Sequence, residues 1–228
     1  MLLESVLSCS YLLLTCGSCI YTLIKHSYDQ YHKLLPHVLC ACNGIVMIGA
    51  RSLFVLVYKL FFKEYAFDPV IIEFEEKKNK GKCNMLDEIL GTLGVTSLIY
   101  SSYCHHKYYV LGACIITSFT ILDVVQLSRT RTTQLQELDT LQLNINSSQI
   151  MHMSRTTILI EVLVSGHFAY LVGNSYALMA TYPYFLTTWA LTPEGFYQTW
   201  TIERTINDYM MMAYVVCMAE ALRQISRP

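Results

Sequence analysis

Ile115-Ile116-Thr117-Ser118-Phe119-Thr120-Ile121-Leu122-Asp123-Val124-Val125-Gln126-Leu127, followed by Ser128-Arg129-Thr130-Arg131-Thr132-Thr133, decides how this chain is read. An apolar run of this length belongs in a lipid bilayer or a deep core. It ends on a basic cluster, as a membrane-spanning helix does at its cytoplasmic mouth. Asp123 is the exception. Its carboxylate lies near that mouth, about one to two turns before Arg129, where water and a cation can reach it.

Composition favours the bilayer. Apolar residues make up 54% of the 228 and charged residues 14%, against roughly 25% charged in soluble domains. The mean hydropathy is +0.37. A chain so poor in charge cannot cover its own surface in water. The net charge of −1 and the lack of a basic stripe exclude a nucleic-acid partner. The first apolar run begins at Leu2 with Glu4 and no basic leader, so it reads as a retained span and not a signal peptide.

Six spans of about 20 residues each fit one bundle over residues 1–228. They run from Leu2 to Ile24, Pro36 to Phe62, Met85 to Tyr103, Tyr108 to Leu127, Thr156 to Ala180 and Thr201 to Leu222. Polar loops occupy about 63–84 and 128–155, and Cys104-His105-His106-Lys107 is a tight turn. The aromatics Tyr182, Tyr184, Trp189, Tyr197 and Trp200 suit the headgroup level, so 181–200 is read as skimming the interface. With both termini cytoplasmic, ten lysines and arginines fall inside and four outside, which favours that orientation. The sequon Asn146-Ser147-Ser148 then faces the cytosol.

Ionisable residues within spans are costly, about 2.5–3.5 kcal/mol on insertion scales, and mark function. Glu4, Arg51, Asp123, Glu161, His167 and Glu220 are such residues. Arg51 suggests a structural ion pair. His167, Tyr170 and Asn174 recur at i, i+3 and i+7, one face of a continuous helix, and an imidazole, a phenol and an amide there can hold water and pass protons. The alternative is interhelical hydrogen bonding that holds the bundle together. Glu220 and Arg223 are spaced for an i, i+3 pair.

Other chemistry lacks support. The nine cysteines are odd in number and mostly lie in apolar runs, where thiols act as small hydrophobes. Cys16-Gly17-Ser18-Cys19 is a single C-x-x-C, the one feature favouring a membrane enzyme. His167 alone lies well inside a span, against the axial pairs of a haem carrier. No phosphate loop, H-E-x-x-H or G-x-S-x-G occurs. The chain reads as no enzyme, with no cofactor and no metal.

Several short motifs resemble the otopetrins, proton channels of eukaryotic membranes, over the carboxy-terminal half of such a chain. Leu86-Asp87-Glu88-Ile89-Leu90 resembles the acidic opening of the ninth helix. Phe119-Thr120-Ile121-Leu122-Asp123 with Ser128-Arg129 is similar to the end of the tenth, and Ser154-Arg155-Thr156 to the start of the eleventh. Cys42-Asn43-Gly44 with Gly49 resembles the eighth helix. Phe196-Tyr197 with Val216-Cys217-Met218-Ala219-Glu220 resembles the closing stretch, and Glu4 the glutamate opening the seventh. The resemblance implies six helices of a two-fold barrel and association with a second half, as a homo-oligomer or with another membrane subunit. It implies a proton-permeable channel or channel half, with Glu4, Asp123, Glu161, His167 and Glu220 as the polar path and Tyr170 and Asn174 holding water. The family's pore-facing glutamine, asparagine and tyrosine are replaced by Thr117, Gly166 and Met210, which puts its usual proton route in doubt. The alternative is a non-conducting structural subunit of a larger membrane assembly.

Overall fold

The computed structural model describes residues 2–61, 90–122, 125, 146–187 and 202–224. Among these, every regular element is a helix: α1 (Leu2–Tyr31), α2 (Pro36–Phe61), α3 (90–105), α4 (Tyr109–Leu122), α5 (Asn146–Leu171), α6 (Ser175–Phe185) and α7 (Ile202–Arg223). The all-α expectation holds.

Three tight turns follow from local chemistry. After α1, His32 adopts φ 53°. The Ser27 hydroxyl then donates to the Lys33 carbonyl at 2.7 Å and accepts from the Leu35 N–H at 3.2 Å. Pro36 opens α2, where its missing N–H costs nothing. After α3, Lys107 takes φ 67°, and the N–H groups of Tyr108 and Lys107 bond to the carbonyls of Tyr103 and Cys104. Gly173, at φ 68°, repeats this ending after α5, with Asn174 and Gly173 donating to Ala169 and Tyr170. This is the left-handed helix stop that glycine favours.

The helices alternate in direction. Ser101 and Ser97 of α3 donate to the carbonyls of His37 and Cys40 on α2, so these two helices are antiparallel. Tyr103 of α3 stacks on Phe168 of α5 at a ring separation of 3.8 Å. α5 and α6 form a hairpin, and α6 runs antiparallel to α7, with Asn174 against Ala221 at one end and Tyr184 against Tyr214 further down. Ser8 of α1 meets Asp208 of α7, whereas His105 at the far end meets Gln224. α1 and α7 are therefore parallel, and the two ends of the described chain lie at opposite ends of the bundle.

Each inner face has helical spacing. On α1 it is Ser8, Leu12, Cys16, Cys19 and Leu23, on α2 Val38, Ala41, Ile45, Ile48 and Ser52, and on α7 Asp208, Met211, Val215, Met218 and Leu222. These meet in one apolar core. The outer faces are apolar too: Leu14 is 69% exposed and Val110 78%, with Leu163, Leu171 and Met179 also outward. Apolar cover of this extent marks a surface that meets something other than water. Two helices, over Val6–Tyr31 and Pro36–Phe54, are long and apolar enough to cross a membrane; Tyr109–Leu122 and Leu159–Leu171 are apolar but shorter.

Three expectations change. The fifth span is not continuous from Thr156 to Ala180, because the Gly173 turn breaks it and starts α6. α5 already begins at Asn146, within the stretch expected as polar loop. The described residues hold seven helices where six were expected, because α6 is a separate element, and α1 and α7 are parallel where the six-helix count has its first and last helices antiparallel. The loop at 63–84, Asp123, and the aromatics Trp189, Tyr197 and Trp200 lie outside the described residues.

Candidate functional site

The polar interior is built around Glu161. This residue of α5 is 4% exposed, in the apolar core, and its Oε2 accepts a hydrogen bond from the Tyr184 hydroxyl at 2.7 Å. A buried carboxyl group is tolerated in such surroundings only when it is hydrogen-bonded. α6 delivers the phenol. Its buried stripe Ala177, Ala180 and Tyr184 follows i, i+3, i+7, and the two alanines let the helix lie close. The Tyr184 ring sits 5.3 Å from that of Tyr214 on α7. Tyr214 is 2% exposed, and its hydroxyl has no hydrogen-bond partner among the described residues.

A cavity of about 20 Å³ adjoins this group, room for one water molecule. Ser102, Tyr103, Ser165, Thr181, Tyr184 and Tyr214 contribute to its lining, with Phe168 and Met218. Ser165 and Thr181 already donate to the carbonyls of Val162 and Leu178, so their oxygens have acceptor capacity left.

Below lies a second carboxylate. Asp208 is 1% exposed, and its Oδ2 accepts from the Ser8 hydroxyl at 2.9 Å and from the Cys9 thiol at 3.6 Å. At the opposite end of the bundle, histidines converge from two helices. His37 Nε2 of α2 is 3.3 Å from His105 Nδ1, and His105 Nε2 is 2.9 Å from the Gln224 carbonyl. His106 packs edge-on against His105 and Phe168. Burial holds His105 below the ordinary imidazole value, the Gln224 bond opposing this and the His26 charge adding to it. Burial and the neighbouring His105 push His106 down to about 4.

The sequence candidates divide. Glu161 is central. His167 and Tyr170 are not with it: both face outward, Tyr170 at 71% exposed. Asn174 is buried, yet it lies beyond the end of α5. Its side-chain oxygen caps α6 through the Ala177 N–H, and its amide donates to the Ala221 carbonyl at 2.9 Å. The expected shared stripe fails because it assumed one unbroken helix. Glu220 forms the expected pair with Arg223, at 2.6 Å, on a half-exposed surface. Glu4 is exposed near the start of α1. Arg51 is partly buried, its guanidinium against Gly91 of α3.

Asp208, Tyr184, Tyr214 and the histidine group were missed as site residues. Asp208 was not among the candidates, although 208, 211, 215, 218 and 222 share one helical face. Tyr184 read as an interface aromatic.

No family model matches the chain, and neither a curated protein nor a solved structure is significantly similar to it. The otopetrin likeness rests on its short motifs alone.

Proposed function

We propose that this chain is an integral membrane protein of the otopetrin kind, a proton-permeable channel or channel half, with its helices alternating in direction. The observation that carries the reading is the Glu161–Tyr184 hydrogen bond in the core beside a cavity sized for one water. A carboxyl group, two phenols and a trapped water can exchange protons without covalent chemistry. Asp208 lies toward one end of this group and His105 and His106 toward the other. From Asp208 to Gln224 is about 24 Å along α7 at 1.5 Å per residue, close to the ~30 Å of hydrocarbon. Protons would hop along this line, and the Tyr103–Phe168 stack would interrupt it between cavity and histidines.

Outward apolar faces support the membrane setting, as do the two helices of spanning length. With α1 and α7 parallel, Arg204 joins the N-terminal side while Arg223 and Arg227 leave it. The lysine and arginine count becomes nine against five, which supports an N-terminus in the cytoplasm and a C-terminus opposite. The likeness to half of a two-fold barrel supports assembly with a second copy or another membrane subunit.

A second reading has its own observation. The cavity beside Tyr184 has room for no more than a single water, and Ser8–Asp208 and Asn174–Ala221 tie helices together as a structural subunit requires. Purified protein in liposomes under a pH gradient separates the two. Acidification of the lumen well above that of empty vesicles is expected; rates equal to the empty control leave the structural subunit.

A further inference from the structure

The geometry points to Asn174 as the positioning residue that sets the axial register of α6, and thereby places the Tyr184 hydroxyl on Glu161. Its use in permeation rests on the proton reading above; the register itself does not.

α6 has a face suited to close approach and poorly suited to holding position. Its buried stripe begins with Ala177 and Ala180. Ala177 packs in a small cluster with Ala169 of α5 and Ala221 of α7. Methyl groups let helix backbones come near, but they leave no knob to lock one helix against sliding on the next. Gly166 of α5 adds to this. A Cβ there would lie 3.3 Å from the Thr181 methyl of α6, so this contact too is between small groups. Register along such a seam has to come from directional bonds.

Hydrogen bonds cross from α6 at both ends, Asn174 to α7 and Tyr184 to α5. Asn174 is 4% exposed, and its two side-chain bonds have separate jobs. Oδ1 accepts from the Ala177 N–H at 3.0 Å, which caps α6 wherever α6 lies. Nδ2 donates to the Ala221 carbonyl at 2.9 Å, which fixes α6 against α7. The Gly173 turn joins the same point to the end of α5. One residue thus holds the start of α6 to both neighbours. Thr187, at the other end, donates to the Tyr184 carbonyl within its own helix and ties α6 to neither.

Tyr184 reads this register ten residues later, about 15 Å along the axis. Its hydroxyl meets Glu161 of α5 at 2.7 Å while its ring lies 5.3 Å from that of Tyr214 on α7. A slip of one residue is about 1.5 Å. That is enough to carry the phenol–carboxyl bond past the ~3.0 Å limit for an O–H donor to oxygen.

A double-mutant cycle on purified protein in detergent tests this without any ion gradient. In Asn174→Ser the hydroxyl still caps α6 but is too short to reach Ala221. Tyr184→Phe removes the Glu161 bond directly. In the unaltered background Tyr184→Phe is expected to lower the melting temperature by about 3–8 °C. In Asn174→Ser the same change is expected to lower it by less than about 1 °C, because the bond is already lost. Residues this far apart that merely hold a bundle together contribute additively. Ser101→Ala, which breaks the tie from α3 to the His37 carbonyl, is the additive control. Should Asn174→Ser not fold, Asn174→Thr replaces it, since threonine also caps and suits the extended backbone of φ −90° and ψ 95° found there. A full fall on Tyr184→Phe in the cap variant overturns the register role. A coupled cycle with wild-type flux in Asn174→Ser would leave the register standing and sink the Glu161 path. An additive cycle with flux that collapses in Glu161→Gln would do the reverse.

Discussion

On the channel reading, proton flux into liposomes is expected to fall roughly a hundredfold when Glu161 is replaced by glutamine, the scale on which a positioned proton-transfer group acts. Glutamine has nearly the same volume, and its carbonyl oxygen can still accept from Tyr184, so packing is preserved. Only the exchangeable carboxyl proton is lost. Thermal stability of Glu161→Gln should therefore stay close to wild type while transport collapses. Tyr184→Phe should lower stability as well as transport. It removes one hydrogen bond from a buried carboxyl group and costs about 1–3 kcal/mol. His167→Ala should leave flux unchanged, because that side chain faces outward. Full transport in Glu161→Gln, or collapse in His167→Ala, would remove Glu161 from the path.

Gly44→Ala lowers stability by about 2–3 kcal/mol, read as a drop of roughly 5–10 °C in melting temperature for a chain of this size. A Cβ at Gly44 would lie 2.6 Å from the Gly94 carbonyl oxygen and 3.1 Å from Leu98 Cγ. The first of these is backbone, so no rotamer change relieves it, and α2 and α3 must separate. Separation would stretch the Ser97–Cys40 and Ser101–His37 bonds along the same seam. Gly17→Ala is the control. Nothing lies within 4 Å of its added methyl, and alanine in a helix interior should stabilise by about 0.5–1 kcal/mol. Equal melting temperatures for the two variants would mean that α2 and α3 do not meet at these glycines.

What was legible in the sequence is what depends on near neighbours. Pro36 marks the start of α2 at the residue itself, because a proline suits a first helical turn. The Glu220–Arg223 pair follows from i, i+3 spacing within one helix. Gly173-Asn174-Ser175 also carried a readable signal, a left-handed stop followed by a capping side chain. A hydropathy reading passes over it, because the residues on both sides are apolar. Missing that break merged α6 into α5, inverted the direction of α7 and put His167, Tyr170 and Asn174 on one imagined face. The polar first turns of α5 read as loop for the same reason: hydropathy does not see the polar end of a helix.

What was not legible is what joins distant parts of the chain. Ser8 and Asp208 are 200 residues apart, and nothing in either neighbourhood announces the other. Glu161 could be named as a candidate from its cost in an apolar run, but its partner Tyr184 depends on which way α6 turns. The histidines looked like scattered residues because they mark two helix ends far apart in the chain, His37 at the start of α2 and His105-His106 at the end of α3. Only the alternation of helices brings those ends to one place.

The central claim is that the helices alternate in direction within one bilayer, with α1 and α7 parallel. Side-specific labelling in sealed membrane vesicles tests it most directly, with one small epitope placed ahead of α1 and another after α7. The alternation predicts that intact vesicles expose one epitope and shield the other until detergent is added. Both epitopes on the same face, or both released from the membrane by an alkaline wash, would contradict it.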